Sequence, residues 1–301
     1  DGIILNEPRE LMDMDKIAFP YDLEEDFRHK IIYYESSRGC PFNCKYCLSS
    51  TIKGVRFLNV ERVKKELEFL ITKNISLIKF VDRTFNCNHE FTVELWKFII
   101  DLDTDITFHF EISADVLTSD EIELLQKAPK GRIQLEVGVQ TTNDEILSNI
   151  DRYVKFKEIE EKVKKVEKYH NVRQHLDLIA GLPGEDFKSF KKSFNDVYSL
   201  RPDEIQLGFL KLLKGSSMRE EAKNWGMVYS PYAPYEILRT DSISYRELVI
   251  LKRVEKVVDK YYNSGKFIHI VDYFVARFET AFDFYYELGM FFYKNGYLSR
   301  N

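Results

Sequence analysis

The 301-residue sequence is poor in cysteine and contains no long apolar run. Four cysteines are too few to hold a secreted scaffold together with disulfides, and nothing from Asp1 onward reads as a secretory signal. No segment approaches the roughly 20 apolar residues of a membrane-spanning helix. Low-complexity segments and short internal repeats are also absent. We therefore expect a cytoplasmic globular protein without membrane association.

Charge and motif absences exclude further classes of protein. The net charge of −5 and the pI of about 5.8 give no bias towards nucleic acid. Basic runs at residues 155–168 and 188–192 alternate with acidic and apolar residues at helical spacing, which is typical of solvated helix faces. A complete Walker A motif and a dinucleotide-binding Gly-x-Gly-x-x-Gly are missing. A nucleic-acid partner is therefore not predicted.

Short apolar runs alternate with longer amphipathic segments from residue 31 to residue 210. This alternation is typical of strands and helices in a parallel sheet. The predicted strands cover residues 31–36, 77–81, 107–113, 133–139, 174–180 and 204–209. Helices are predicted over residues 60–72, 91–102, 119–126, 156–169 and 187–200. Each cycle takes about 30 residues, as a βαβ unit does. The sequence thus predicts an α/β fold with a partial (β/α)6 TIM-like barrel.

The chain changes character after Gly215. From there on we expect aromatic-rich helices without strands, with two or three helices over residues 235–295 packed against the barrel. The predicted organisation is an N-terminal linker (1–29), a barrel (30–215) and a helical C-terminal extension (216–301). Because βαβ crossovers are right-handed, the carboxyl ends of the barrel strands should share one rim, where such enzymes keep their sites.

Three cysteines directly follow the first predicted strand, as Cys40-x-x-x-Cys44-x-x-Cys47. Three thiolates can hold three irons of a cubane [4Fe–4S] cluster and leave the fourth iron open. They also suit zinc, if Cys87 or His89 supplies a fourth ligand. Cys87 is the only further cysteine in the sequence, so this chain by itself cannot house a second cluster.

With Tyr46 before its last cysteine, this loop resembles that of the radical S-adenosylmethionine (SAM) superfamily. Gly138-Val139-Gln140 and the segment 177–184, with its Gly-Leu-Pro-Gly, resemble the branch that contains oxygen-independent coproporphyrinogen oxidase and cobalamin-associated enzymes. The resemblance covers about residues 33–213. It implies a [4Fe–4S] cluster whose open iron binds SAM, reductive cleavage to a 5′-deoxyadenosyl radical, an external flavodoxin- or ferredoxin-type reductant and an unidentified small-molecule substrate.

The resemblance also implies which residues contact SAM. They are Tyr46, Thr84, Glu111, Ser113, Gln140, Arg152, Asp177, Ile179 and Leu182. Gln140 and Asp177 would hydrogen-bond the ribose, and Arg152 would pair with the carboxylate. Glu111 would lie near the amino group, and Ile179 and Leu182 near the adenine. Relatives carry glycines where this chain has Asp82-Arg83-Thr84, so Thr84 or backbone would replace that contact. Arg83 would face either an acidic substrate or a surface carboxylate.

Residues 14–22 are similar to a linker that follows a corrinoid-binding domain, and residues 206–215 and 234–236 to the tail of B12-binding-domain-containing radical SAM proteins. We therefore expect that a cobalamin domain has been removed upstream. With cobalamin, the expected reaction is radical methylation or rearrangement; without it, hydrogen abstraction followed by oxidation. The lack of further cysteines argues against methylthio transfer. The alternatives are a zinc-stabilised α/β binding protein and an RNA-modifying radical SAM enzyme.

Overall fold

A computed structural model of the protein describes residues 6–7, 9–21, 26–28 and 30–299. The linker predicted over residues 1–29 therefore lies partly outside the described residues. Within them, residues 13–21 pack against the first helix. Arg62 donates hydrogen bonds to the carbonyls of Asp15 (2.7 Å) and Ile17 (2.6 Å), and Met14 is buried.

Six parallel strands form one sheet, in which each strand pairs with the next one along the chain. These strands are β1 (Ile31–Tyr34), β4 (Leu77–Phe80), β5 (Thr107–Ile112), β6 (Ile133–Gln140), β7 (Arg173–Ala180) and β8 (Glu204–Phe209). Two short strands, β2 (Ser37–Arg38) and β3 (Arg56–Phe57), pair antiparallel on either side of the cysteine loop. The α/β fold and all six predicted barrel strands are confirmed.

Helices connect the barrel strands. They are α1 (Val60–Ile71), α2 (His89–Asp101), α3 (Ser119–Leu125), α4 (Asp144–Asn149), α5 (Phe156–Glu167) and α6 (Phe187–Ser199). Polar side chains cap their amino ends. Asn59 accepts hydrogen bonds from two backbone N–H groups of α1, and Thr118 forms a capping box with Glu121 at α3. The short helix α4 was not predicted, since six residues show too little periodicity.

The two faces of the sheet differ in polarity, because successive side chains of a strand point to opposite sides. On the outer face Ile78, Phe108, Leu135 and Leu176 are fully buried beneath the helices. The inner face carries polar side chains in rows set by the strand register. One row is Lys79, His109 and Gln134, and the next is Glu111, Glu136, His175 and Glu204. A polar interior therefore leads to the rim where the strands end.

The prediction that no strand follows Gly215 is wrong. β9 (Val228–Tyr229) and β10 (Ile237–Arg239) form a small antiparallel pair. Elements of two and three residues are too short to show a period of two. The α-helices of this region are α7 (Ser217–Glu220), α8 (Tyr245–Val258), α9 (Ile268–Val275) and α10 (Ala281–Lys294). The three longer helices agree with the predicted two or three.

The C-terminal helices pack beside the last strand of the barrel. The Asn263 side chain accepts from the N–H of Ile205 (2.9 Å) and donates to its carbonyl (3.1 Å), which satisfies the outer edge of β8. Phe282 and Tyr285 of α10 pack against Phe194 of α6. In the described part of the chain, no helix combines the length and the apolar character needed to cross a bilayer.

Candidate active site

The cysteine loop lies at the carboxyl end of β1, and all three of its thiols line one cavity at the rim. Cys44 is buried, while Cys40 and Cys47 are half-buried. Ser50 donates to the carbonyls of Cys44 (3.1 Å) and Cys47 (2.7 Å), and the N–H of Cys47 donates to the Cys44 carbonyl (3.0 Å). These bonds hold the two thiols in one tight turn.

A buried aspartate fixes the start of the loop. Asp82, which is fully buried after β4, accepts hydrogen bonds from the N–H (3.0 Å) and the hydroxyl (2.7 Å) of Ser36. Burial raises its pKa to about 6. Asp82 therefore attaches the start of the cysteine loop to the end of β4.

The middle of the loop is attached to two other parts of the chain. The N–H of Lys45 donates to the carbonyl of Ile150 (3.0 Å), and the N–H of Met218 donates to the carbonyl of Lys45 (3.0 Å). The Lys45 ammonium lies 3.1 Å from Glu221 and 3.7 Å from Asp151. The C-terminal region thus helps to position the cysteines, a role that the sequence did not reveal.

The same cavity collects most of the polar residues expected from the sequence. Besides the three cysteines, it is lined by Tyr46, Thr84, Glu111, Ser113, Gln140, Arg152 and Asp177. The cavity is also lined by Glu136, to which the sequence analysis gave no role. Glu136 lies two residues before Gly138 on the inner face of β6. The cysteines and Tyr46 follow β1, and the other side chains come from β5 to β7 or from the segments that follow β4 to β7, as expected for a rim site.

Ile179 and Leu182 do not line this cavity, contrary to the expectation for adenine contacts. Leu182 is fully buried in the core, and Ile179 is half-buried. The turn that follows β7 lies directly beneath Ile237 of β10, whose side chain is 2.7 Å from where a Cβ of Gly181 would stand. Glycine permits this close approach. The C-terminal strand pair therefore lies against the start of this turn.

Gly138, Gln140 and Arg152 form a compact unit at the end of β6. Gln140 has a left-handed backbone (φ 70°) next to a register shift in the β6–β7 pairing. This bend carries its amide over Gly138, where any side chain would collide with the Gln140 nitrogen. The buried Arg152 donates to the Gly138 carbonyl (2.6 Å), and its Nη1 lies 3.9 Å from Cys44 Sγ. Its Nε has no partner in the described part of the chain.

Three carboxyl groups, those of Glu111, Glu136 and Asp177, line the cavity, and their pKa values are shifted in different directions. Glu136 receives hydrogen bonds from His109 and Lys79, both at 3.1 Å, which lower its pKa to about 2. Burial and the charge of Glu136 raise the pKa of Glu111 to about 7. Burial, Glu136 and Glu111 raise the pKa of Asp177 well above its usual value. Glu136 therefore stays ionised beside two carboxyl groups whose pKa values are raised.

Thr84 and Ser113 sit at the ends of neighbouring strands. The Thr84 hydroxyl lies 3.4 Å from Cys40 Sγ. Asn86 bridges to the next strand by accepting from the N–H of Ser113 (3.0 Å) and donating to its carbonyl (2.9 Å). Arg83 is mostly exposed and lies 3.9 Å from Glu111, so it forms an ion pair at the edge of the cavity.

The two additional zinc ligands considered from the sequence are not placed for that role. His89 lies 3.0 Å from Asp120 and 3.2 Å from Glu121 at the start of α3. Among the described residues, no three His, Cys, Asp or Glu side chains are grouped to hold one metal ion. A cubane differs from a single ion because it spreads its thiolates over separate irons.

A partial parallel barrel with three cysteines at its rim, beside an unpartnered buried guanidinium nitrogen and an unpartnered Asp177 oxygen, suits a [4Fe–4S] cluster with a polar, charged ligand. Residues 34–197 match the radical SAM superfamily, and the chain belongs to that superfamily of [4Fe–4S]- and SAM-dependent enzymes. Residues 223–301 match DUF4080, described as a protein of unknown function. The resemblance to the radical SAM superfamily that the sequence indicated is confirmed. The alternative of a zinc-stabilised binding protein is given up.

Curated relatives include RNA-modifying enzymes. The chain is 24% identical over 206 residues to a probable threonylcarbamoyladenosine tRNA methylthiotransferase of Pyrococcus abyssi, covering 64% of this chain and 47% of that protein. It is 28% identical over 153 residues to the oxygen-independent coproporphyrinogen-III oxidase-like protein HemZ of Bacillus subtilis, covering 43% of this chain and 29% of that protein. The chain thus spans less than half of these relatives, and similarity in this region includes the methylthiotransferases that the cysteine count argued against.

Solved structures share the fold. The radical SAM methyltransferase TsrM of Kitasatospora setae, with cobalamin and a [4Fe–4S] cluster bound, has a TM-score of 0.58 at 17% identity, covering 68% of this chain and 40% of that one. The cobalamin-dependent SAM radical enzyme OxsB has a TM-score of 0.55 at 13% identity, covering 76% and 41%. At these identities the likeness concerns the fold, and it agrees with the predicted TIM-like barrel.

Proposed function

We propose that this chain is the catalytic part of a radical SAM enzyme whose substrate is a polar organic molecule held against the inner face of the sheet. The observation that carries the proposal is that Cys40, Cys44 and Cys47 line one cavity with Arg152 and Asp177. When bound, the cluster and SAM supply a 5′-deoxyadenosyl radical by one-electron reductive cleavage.

The residues of the chain divide the work of binding. The three thiolates hold the cluster, and the free Nε of Arg152 is available to the SAM carboxylate. Gln140 and Asp177 offer hydrogen bonds to the ribose, and Glu111 offers a carboxylate to the amino group. Burial and the neighbouring Glu136 anion raise the pKa of Asp177, which favours the protonated form that donates a hydrogen bond. Polar side chains below them suit a substrate that is itself polar.

Anaerobic reconstitution tests this function. The protein should bind about four irons and four sulfides per chain, as a cubane requires. It should release 5′-deoxyadenosine from SAM when dithionite is added. Protein that takes up neither iron nor sulfide, or that holds a full cluster and leaves SAM intact, would contradict the proposal.

Affinity for SAM should depend on pH through Glu111. Its pKa of about 7 means that it loses its charge as the pH falls below 7. Because an N–H of the SAM amino group is bound more strongly by the ionised carboxylate than by the neutral acid, we expect the Kd of SAM to rise as the pH falls, approaching about tenfold per unit below pH 7. Equilibrium dialysis of SAM between pH 5.5 and pH 8.5 measures this dependence.

The variant Glu111→Gln should bind SAM more weakly at pH 8 and lose most of this pH dependence, because its amide does not titrate. The matched control is Glu123→Gln, an exposed position on α3, which should keep the wild-type profile. If Glu111→Gln keeps the wild-type slope, another group is responsible and Glu111 does not receive the amino group.

A second candidate is modification of RNA, because tRNA methylthiotransferases are among the curated relatives. The rate of 5′-deoxyadenosine release with and without bulk tRNA separates the candidates. Stimulation by tRNA, removed by prior nuclease digestion, favours the RNA reaction. An unchanged rate favours a small-molecule substrate.

Three further predictions stay proposals. We infer a reducing, cytoplasmic setting, supported by four free cysteines. The boundary between barrel and helical extension near residue 215 is supported by the change from long parallel strands to helices and a short strand pair.

Cobalamin dependence is supported by the cobalamin named for TsrM and OxsB. When hydroxocobalamin is added to the full-length protein, a change in its visible spectrum should show whether it binds.

A further inference from the structure

Arg83 brings an unused set of hydrogen-bond donors to the active-site cavity, which it lines beside Thr84 and Glu111. Its side chain is 57% exposed, and in the described part of the chain its guanidinium donates no hydrogen bond. The ion pair with Glu111 spans 3.9 Å from Nη1 to Oε2, which is too long for a hydrogen bond. Because a guanidinium carries five N–H donors, Arg83 is equipped to bind an anion that enters the cavity.

The two arginines that line the cavity differ in their surroundings. Arg152 follows β6, is buried, donates to the Gly138 carbonyl and lies next to Cys44. Arg83 follows β4 and is more than half exposed. SAM carries a single carboxylate, and the free Nε of Arg152 is proposed above to receive it. The guanidinium of Arg83 is therefore left for a different anion.

The backbone on both sides of Arg83 is fixed, although its side chain is not. Asp82 is fully buried and accepts a hydrogen bond from the N–H of Ser36 (3.0 Å). Thr84 is also buried, and its hydroxyl donates to the carbonyl of Arg83 (2.8 Å) and lies 3.4 Å from Cys40 Sγ. The start of the Arg83 side chain is thus held next to the cysteine loop, which reduces the cost of ordering it around a ligand.

Glu111 links the proposed SAM site to Arg83. Among the described residues, it is the acid that pairs with Arg83, and the long, partly exposed pair contributes little to stability. An N–H of the SAM amino group that donates to Glu111 would occupy this carboxylate. The positive sulfonium of SAM would also attract an anion that enters the same cavity. We therefore expect an anion to bind Arg83 more tightly when SAM is present.

We propose that Arg83 is a specificity-determining residue that binds an oxyanion of the substrate, either a carboxylate or a phosphate. The planar fork of a guanidinium can donate two parallel hydrogen bonds to either group. This inference deepens the proposed function and rests on it, because it presumes SAM in the cavity. The substrate is then an organic anion whose charged group is held on the β4 side of the cavity, beside the cysteine loop.

The test measures oxyanion binding to the reconstituted protein with and without SAM. The probes are inorganic phosphate and succinate, and isothermal titration calorimetry at pH 8 gives their Kd values. The variants are Arg83→Gln, which removes the charge, and Arg83→Lys, which keeps the charge but not the fork. Arg246→Gln is the matched control, since Arg246 is exposed on α8 and lies away from the cavity. The Kd of SAM is measured for each protein.

We expect the wild type to bind at least one probe, and to bind it more tightly with SAM. Arg83→Gln should raise the Kd of that probe by about tenfold or more, and Arg83→Lys by a smaller factor. The control should match the wild type, and the Kd of SAM should change by no more than about twofold in Arg83→Gln. Binding of phosphate alone indicates a phosphorylated substrate, and binding of succinate alone indicates a carboxylic acid.

Four results would overturn this assignment of Arg83. They are no binding of either probe to the wild type, probe binding that Arg83→Gln leaves unchanged, an equal loss in Arg246→Gln, and a Kd of SAM that rises as much as that of the probe. The last result would place Arg83 in the SAM site. Failure of the wild type to take up a cluster or to cleave SAM with dithionite would instead refute the proposed function.

Discussion

Replacing Cys40 with alanine is expected to reduce bound iron from about four per chain to a small residue and to abolish 5′-deoxyadenosine release. With only two thiolates left, a further iron of the cubane has no protein ligand, and the cluster is lost. Cys40 is half-buried, so its removal leaves little empty volume and the fold should persist. Iron and sulfide analysis, the cluster absorbance and circular dichroism of the same sample measure the three effects.

Cys87→Ala is the matched control for this experiment. Cys87 is also half-buried, and burial together with the charge of Cys40 raises its pKa to about 11. It does not line the cavity, so the variant should keep its iron and its cleavage rate. If Cys87→Ala lost the cluster as Cys40→Ala does, Cys87 would be a ligand and the open iron would have to be given up.

Replacing Arg152 with lysine is expected to raise the Kd of SAM by about 100-fold. The guanidinium donates to Gly138 through one nitrogen and keeps Nε free for a carboxylate, a fork that a single ammonium cannot reproduce. Loss of the charge-assisted hydrogen bond from Nε to the SAM carboxylate, at about 2.7 kcal/mol, gives this factor. Equilibrium dialysis with SAM, alongside thermal unfolding, separates lost affinity from lost stability.

A second buried arginine provides the control. Arg132 donates to the carbonyls of Ile99 and Leu102, both at 2.8 Å, and lies away from the cavity. Arg132→Lys should lower the melting temperature and leave SAM affinity unchanged. If Arg152→Lys behaves in the same way, with normal SAM affinity in the folded protein, Arg152 has a structural role only.

Local patterns in the sequence determined the class of the protein. The spacing of Cys40, Cys44 and Cys47 is a property of one loop, and it needs no distant contact to be recognised. The six barrel strands are long enough for their apolar runs to stand out, and helices such as α1 and α6 show a clear apolar face. Gln140, Arg152 and Asp177 could be found because short motifs mark the ends of their strands.

Tertiary structure decided what each rim residue touches. The sequence shows that Glu136 alternates with apolar neighbours, but only the strand register brings Lys79 and His109 to it and gives it its charge. Leu182 belongs to a recognisable motif and yet is fully buried, and the distant strand β10 lies against Gly181 of the same turn. The cysteine loop likewise contacts Met218, which is more than 150 residues away in sequence. Spacing along the chain is local information, whereas pairing across strands, burial and charge depend on which distant segments the fold brings together.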